Sequence, residues 1–268
     1  MFKAENFGIS WLDLVLPFPC EIHHCAPRAR PDSGRFSVLS HFTEPRQLKL
    51  PAAQVREVAP LFDLILTNED SLLDLPNAAL AVFGSNWVKT LPERKSFDVS
   101  FLYSNGVGSE ALFSGYRDRR QIWARGAALR VPTRFYTSQM RPPEGIENLA
   151  PYPFPDKAGL FESMFSIIVE NEYQDHYFTE KLIDCLRSYT VPIYFGAPNI
   201  ARYFDPAGML LPSTVDEMVE MIDRLTVADY WGRLGALEAN YQRSKQYWDF
   251  LRNLGLYIEE GRRRRLAR

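Results

Sequence analysis

Two short apolar runs, Met164 to Val169 and Val191 to Phe195, flank a segment dense in charges and hydroxyls. Each run has the length and unbroken hydrophobicity of a strand buried on both faces of a parallel sheet. Between them, Phe178, Leu182, Ile183 and Leu186 recur at helical spacing. The unit therefore reads as strand, polar loop, helix, strand, which predicts an α/β fold with a parallel sheet. Its polar residues, Glu170, Asn171, Tyr177, Thr179, Glu180 and Lys181, crowd the point where the first strand ends and the helix begins. That is where open α/β sheets bind ligands.

The same alternation runs through the rest of the chain. "RFSVLSHF" (35–42), "FDLILTN" (62–68) and "ALAVFGS" (79–85) read as strands, with "AAQVREVAP" and "SLLDL" as short helical connections. The polar stretch "VKTLPERKSF" (88–97) reads as a linker, which divides the chain into domains over 1–92 and 93–268. Beyond it, "DVSFLYSN" (98–105) predicts a strand, "YRDRRQIWARGA" (116–127) a helix, "TRFYTS" a strand and "IARYFDPAGMLLPST" (200–214) a turn and strand. Val215, Met218, Val219, Ile222 and Leu225 fall on one face of a helix, and a long helical region follows over 230–248.

The 268 residues suffice for one large domain or two modest ones. A formal net charge of -2 gives no global basic field, which argues against a nucleic-acid partner. The charge is uneven, however. The C-terminal "GRRRRLAR" gathers Arg262, Arg263, Arg264, Arg265 and Arg268. This is either a solvated tail or a contact for an anionic membrane surface. Three cysteines without framework spacing suit a reducing compartment. In "CEIHHC", Cys20, His23, His24 and Cys25 lack a second ligand pair, so a zinc site is the weaker reading. No apolar run reaches a membrane span, and the N-terminal stretch has no secretory signature. A cytoplasmic protein, at most peripheral to a membrane, is expected.

Chemistry sharpens the reading of the polar cluster. A helix N-terminus offers unpaired N–H groups and partial positive charge to a phosphate, and Lys181 adds a point charge. Glu180 suits the vicinal hydroxyls of a ribose, and Tyr177 a base or a phosphate. A plain helix cap, with Glu180 in the first turn and Lys181 paired to it, explains each residue singly. It does not explain their crowding at one strand end.

Over about forty residues, "MFSIIVENEYQDHYFTEKLIDCLRSYTVPIYFGAPNIARYF" resembles the donor-binding signature of the family 10 glycosyltransferases, the α1,3/4-fucosyltransferases. A weaker resemblance continues upstream in "SHFTEP" (40–45), in "FDLILTNEDSLLDLPNAALAVFG", and in "VSFLYSN" followed by "YRDRRQI". The resemblance implies a GT-B-like α/β fold, two Rossmann-like domains facing across a cleft, with the first domain on the acceptor side and the second binding the donor. It implies an inverting, metal-independent glycosyltransferase that uses no cofactor beyond its GDP-sugar co-substrate. GDP-fucose is the donor implied, and a glycan or glycoconjugate the acceptor. Glu44 falls on the catalytic base. Glu170, Asn171, Tyr177, Thr179, Glu180 and Lys181 fall on the donor site. An arginine that grips the pyrophosphate falls among Arg117, Arg119 and Arg120, with Arg117 ahead of Arg119. Glu170, Glu69 and Asp70 are lesser candidates for the base. Two other readings stay open: a non-catalytic nucleotide-sugar binding module, and transfer of a different sugar. An epimerase is disfavoured, because the chain has no GxGxxG turn.

Overall fold

The structure, a computed structural model, describes residues 1–7, 12–27, 30–32, 34–104, 112–138, 143–147, 149–152 and 156–267. The chain divides into two compact units. One comprises Met1–Phe83, Gln174–Tyr177 and Asp249–Arg268, and the other Gly84–Tyr173 and Phe178–Trp248.

The first unit opens with β1 (Phe2–Lys3), antiparallel to β3 (Val15–Leu16). Its main sheet is parallel, in the order β2 (Glu5–Phe7), β4 (Cys20–His24), β5 (Phe36–His41), β6 (Leu64–Thr67), β7 (Ala78–Leu80). Alternation along the strands sends side chains to two separate cores. Val38, Leu64 and Leu66 join Leu14, Leu16 and Ile22 on one face. Leu39 and Ile65 join Phe62, Leu72 and Val55 on the other. Val55 belongs to α1 (Ala52–Val58), which connects β5 to β6. The opposite face is covered by α6 (Phe250–Leu266), through Phe250, Leu254 and Ile258. A Cβ on Gly261 would come within 2.5 Å of Leu64 Cδ2, so glycine allows the helix to approach β6 closely.

The final residues therefore differ from the expected tail. They form an amphipathic helix that completes the first unit, whereas the expected division placed them in the second. The boundary between the units falls at Phe83 and Gly84, ahead of the polar stretch. "CEIHHC" lies largely within a core strand. Cys20, His23 and His24 lie on or beside the buried strand β4, and Cys25 follows at φ 61°. Among the described residues, no group of three His, Cys, Asp or Glu side chains is placed to hold a metal ion. Among the described residues, no helix is long and apolar enough to cross a membrane.

The second unit is a parallel sheet in the order β11 (Val191–Phe195), β10 (Ser163–Val169), β8 (Ser96–Tyr103), β9 (Thr133–Thr137). Ile167 pairs with Ile193 on one side and Phe101 on the other. The crossover from β8 runs through α2 (Ser114–Arg125) outward to β9. The one from β10 runs through α3 (Glu180–Arg187) outward to β11. Right-handed crossovers in opposite directions put α2 and α3 on opposite faces. The helix α4 (Val215–Ile222) packs with α2, and α5 (Val227–Ser244) with α3. The strand order thus reverses between β8 and β10, which makes that junction the topological switch point. The strand expected over 200–214 is reduced to short 3-10 turns and one bridge, Ile193 to Leu210.

Candidate functional site

A cleft of about 240 Å³ opens within the second unit at this switch point, reaching the carboxyl ends of β8 and β10. Its walls carry Arg119, Asn171, Glu180 and Lys181 of the sequence-derived set.

Local chemistry explains how α3 presents its first turn there. Thr179 is the N-cap, with extended backbone and a hydroxyl that accepts from Lys181 N at 3.4 Å. Glu170, fully buried at the end of β10, accepts from Thr179 N and from Thr179 Oγ1, both at 2.8 Å. Burial raises its carboxyl above the usual range, although Lys181 Nζ, 3.8 Å away, pulls the other way. Glu170 thus fastens the cap to the strand end and does not line the cleft. Tyr177 and Thr179 are likewise buried and off its walls.

Glu180 is the first residue of α3. Burial works against its charge, but Lys181 at 3.3 Å and Lys157 at 3.8 Å outweigh it and hold the carboxyl below its ordinary value. Lys157 was not singled out from the sequence. It lies seven residues ahead of the motif, outside it, and the fold brings it to the cleft, with Nζ 4.2 Å from the centre of the Trp87 ring.

The arginines separate cleanly. Arg119 is 3% exposed, whereas Arg117 and Arg120 are exposed on α2 and off the cleft. Arg119 Nε donates to Val169 O at 3.2 Å, Nη1 to Ser104 O at 2.7 Å, and Nη2 to Asn171 Oδ1 at 2.9 Å. Its guanidinium therefore ties β8 to β10 and sets the Asn171 amide. Asn105, which ends the "VSFLYSN" segment, lies outside the described residues, as does Arg268. Asp184 also faces the cleft, four residues after Glu180 on α3. Its Oδ1 accepts from Trp87 N at 2.7 Å and Val88 N at 3.1 Å. Burial pushes its carboxyl up to about 7, against the pull of Lys157.

In the first unit, Glu44 is exposed, three residues past the end of β5. Buried polar groups gather at the same carboxyl edge. Lys49 Nζ donates to Asn68 Oδ1 at 2.6 Å, and burial lowers this lysine to about 8. Gln174 Nε2 donates to the same oxygen at 3.3 Å. Burial, then the Lys49 charge, lowers His41 to about 4. The neutral ring must then donate from Nε2 to Leu50 O at 2.8 Å. A larger cleft, about 640 Å³, lies at the opposite edge of this sheet. Its arginines are already paired, Arg56 with Asp74, Arg264 with Glu260 and Arg265 with Asp63. The smaller cleft is the better ligand candidate, because it lies at carboxyl strand ends beside a helix N-terminus.

No protein-family model matches the chain. Curated relatives match in part. The α-(1,3)-fucosyltransferase FucT of Helicobacter pylori is 36% identical over 64 residues, which are 24% of this chain and 13% of that protein. An α-(1,4)-fucosyltransferase of Arabidopsis thaliana is 33% identical over 91 residues, 30% of this chain and 22% of the relative. The chain thus covers less than a quarter of either relative's length. Among solved structures, an α1,3-fucosyltransferase with GDP gives a TM-score of 0.56 at 16% identity, over 92% of this chain and 78% of that one. Another with GDP-fucose gives 0.57 at 16% identity, over 93% and 78%. At such identity the likeness establishes the fold: the chain is a GT-B-like α/β protein.

Proposed function

We propose, for a chain that is fucosyltransferase-like in fold and in part of its sequence, that it transfers a sugar from a GDP-sugar to a hydroxyl of a glycan acceptor. L-fucose is the sugar we favour, and the transfer is inverting and independent of a metal. The observation that carries this reading is the meeting of Glu180, Lys181 and the α3 N-terminus with Arg119 and Asn171 around one cleft at the switch point. Lys181 and the helix N-terminus take the diphosphate, and Glu180 takes the ribose hydroxyls. Arg119 contributes its charge and holds Asn171 on the cleft wall. Glu170 and Thr179 act one layer behind, by fixing the cap.

The first unit is the acceptor side in this reading. The acceptor hydroxyl gives its proton to the Glu44 carboxylate as its oxygen forms the new bond to the anomeric carbon. The bond from that carbon to the diphosphate oxygen breaks on the opposite face, and GDP leaves with the electron pair. Preorganised cations at the departing diphosphate lower the barrier, each such group being worth about two to three orders of magnitude in rate. The basic turns of α6 are proposed to rest against anionic lipid headgroups, which co-sedimentation with anionic but not zwitterionic vesicles would support.

The test is turnover of GDP-fucose with an array of glycan acceptors, with and without EDTA, with the product's anomeric configuration read by NMR. Transfer with inversion, unaffected by EDTA and lost in Glu44→Gln, is expected. GDP binding without transfer to any acceptor favours the binding-module reading instead.

A further inference from the structure

Asp184 stands apart from the groups already given roles. It is fully buried, it lines the nucleotide cleft, and only one of its two carboxylate oxygens is used. Oδ1 accepts from the backbone N–H groups of Trp87 and Val88, while Oδ2 has no hydrogen-bond partner among the described residues. A buried carboxylate oxygen without a donor is costly, and burial alone does not explain why the fold retains it on a cleft wall. Asp184 follows Glu180 at i+4, so both side chains project from one face of α3, about 6 Å apart along its axis. A nucleotide whose diphosphate meets the helix N-terminus and whose ribose meets Glu180 therefore carries its base toward the next turn.

We propose that Asp184 is the base-reading residue of this cleft, its Oδ2 accepting from the 2-amino group of guanine and its Oδ1 from the adjacent N1–H. The inference rests on the nucleotide-diphosphate reading of the same site. Guanine presents two adjacent donors on that edge, which a carboxylate accepts. Adenine presents an acceptor at N1, and uracil places its single N3–H between two carbonyls, so neither offers the pair. The contacts from Trp87 N and Val88 N fix the carboxylate's orientation, which turns Oδ2 into a reader.

The same contacts make the test directional. In Asp184→Asn the amide oxygen is held by the two backbone donors, so the NH2 group takes the place of Oδ2. It then opposes the 2-amino group of guanine and suits the 2-carbonyl of xanthine. Calorimetric titration of the whole protein with GDP, inosine diphosphate and xanthosine diphosphate separates the outcomes. Wild type is expected to bind GDP at least tenfold more tightly than inosine diphosphate, which lacks only the 2-amino group. Asp184→Asn is expected to lose at least tenfold for GDP and to gain at least tenfold for xanthosine diphosphate. Equal wild-type affinities for GDP and inosine diphosphate would overturn the assignment without involving a variant. So would an Asp184→Asn protein in which both nucleotides weaken together, since a residue that merely pins the 87–88 backbone affects every base alike. If wild type binds none of the three, the nucleotide-diphosphate reading has failed and the assignment of Asp184 falls with it.

Discussion

Gly115, in the first turn of α2, is the position where the site's architecture is least forgiving. Its N–H donates to Asn171 O at 3.1 Å, and a Cβ there would lie 1.7 Å from Glu170 O and 3.0 Å from Asn171 O. Ordinary contact begins near 3.4 Å, so alanine requires the helix and the strand end to part by 3.4 − 1.7 = 1.7 Å. Both oxygens are backbone, and Glu170 is clamped by Thr179, so no flexible side chain can yield. A shift of that size breaks the Gly115 to Asn171 hydrogen bond, worth about 1 kcal/mol, and adds an overpacking cost of about 1–3 kcal/mol. It also pulls on Arg119, one turn further along α2, which sets Asn171. Gly115→Ala is therefore expected to destabilise the protein by about 2–4 kcal/mol and to weaken nucleotide binding at least tenfold. Urea unfolding gives the first quantity and GDP calorimetry the second. Gly232→Ala and Gly235→Ala are the controls, because nothing lies within 4 Å of a Cβ at either position on the exposed face of α5. Each should stabilise by about 0.5–1 kcal/mol, the helical preference for alanine over glycine. A Gly115→Ala protein with wild-type stability and wild-type affinity would refute the claim that this contact positions the strand end.

Other perturbations give independent checks. Asp184 has a folded-state carboxyl raised from 3.8 to about 7, so its contribution to stability is fully present below about pH 4 and is lost as pH rises through 7. The gap corresponds to on the order of 4 kcal/mol, at roughly 1.4 kcal/mol per tenfold step; Asp184→Asn should remove that slope from urea unfolding measured between pH 4 and 8. Leu254→Ala on α6 empties a fully buried site against the first unit's sheet and should cost about 2–5 kcal/mol, whereas a loosely attached tail would show no change in unfolding. Lys181→Ala should lower the transfer rate by about two to three orders of magnitude, with the melting temperature almost unchanged because the lysine is only partly buried.

The second unit was legible because its chemistry is local. Phe178, Leu182, Ile183 and Leu186 announce α3, and its first residues, Glu180 and Lys181, do reach one cleft. Asp184 could have been found the same way, as the carboxylate one turn beyond Glu180. Lys157 and Trp87 could not, since only the packing of distant segments brings them to α3. The choice among three arginines was also closed to sequence, because Arg117, Arg119 and Arg120 differ only in the direction each leaves α2. Glu170 and Thr179 were expected against the donor, yet the chain uses their hydrogen-bonding capacity on each other to seat the helix. In the first unit, the terminal helix escaped detection because four consecutive arginines mask an apolar stripe of Phe250, Leu254 and Ile258, with Gly261 continuing it against Leu64. "CEIHHC" drew attention as a ligand set, but alternation and burial make its first five residues a core strand.

Calorimetric titration of the purified protein with GDP, beside UDP and CMP, tests the central claim most directly, with Lys181→Ala and Glu180→Gln as the paired variants. The account expects one GDP per chain, selectivity over UDP and CMP, and a loss of at least tenfold in each variant. Absence of GDP binding, or GDP binding untouched by both variants, would contradict it and leave the start of α3 as a capped helix with no ligand to hold.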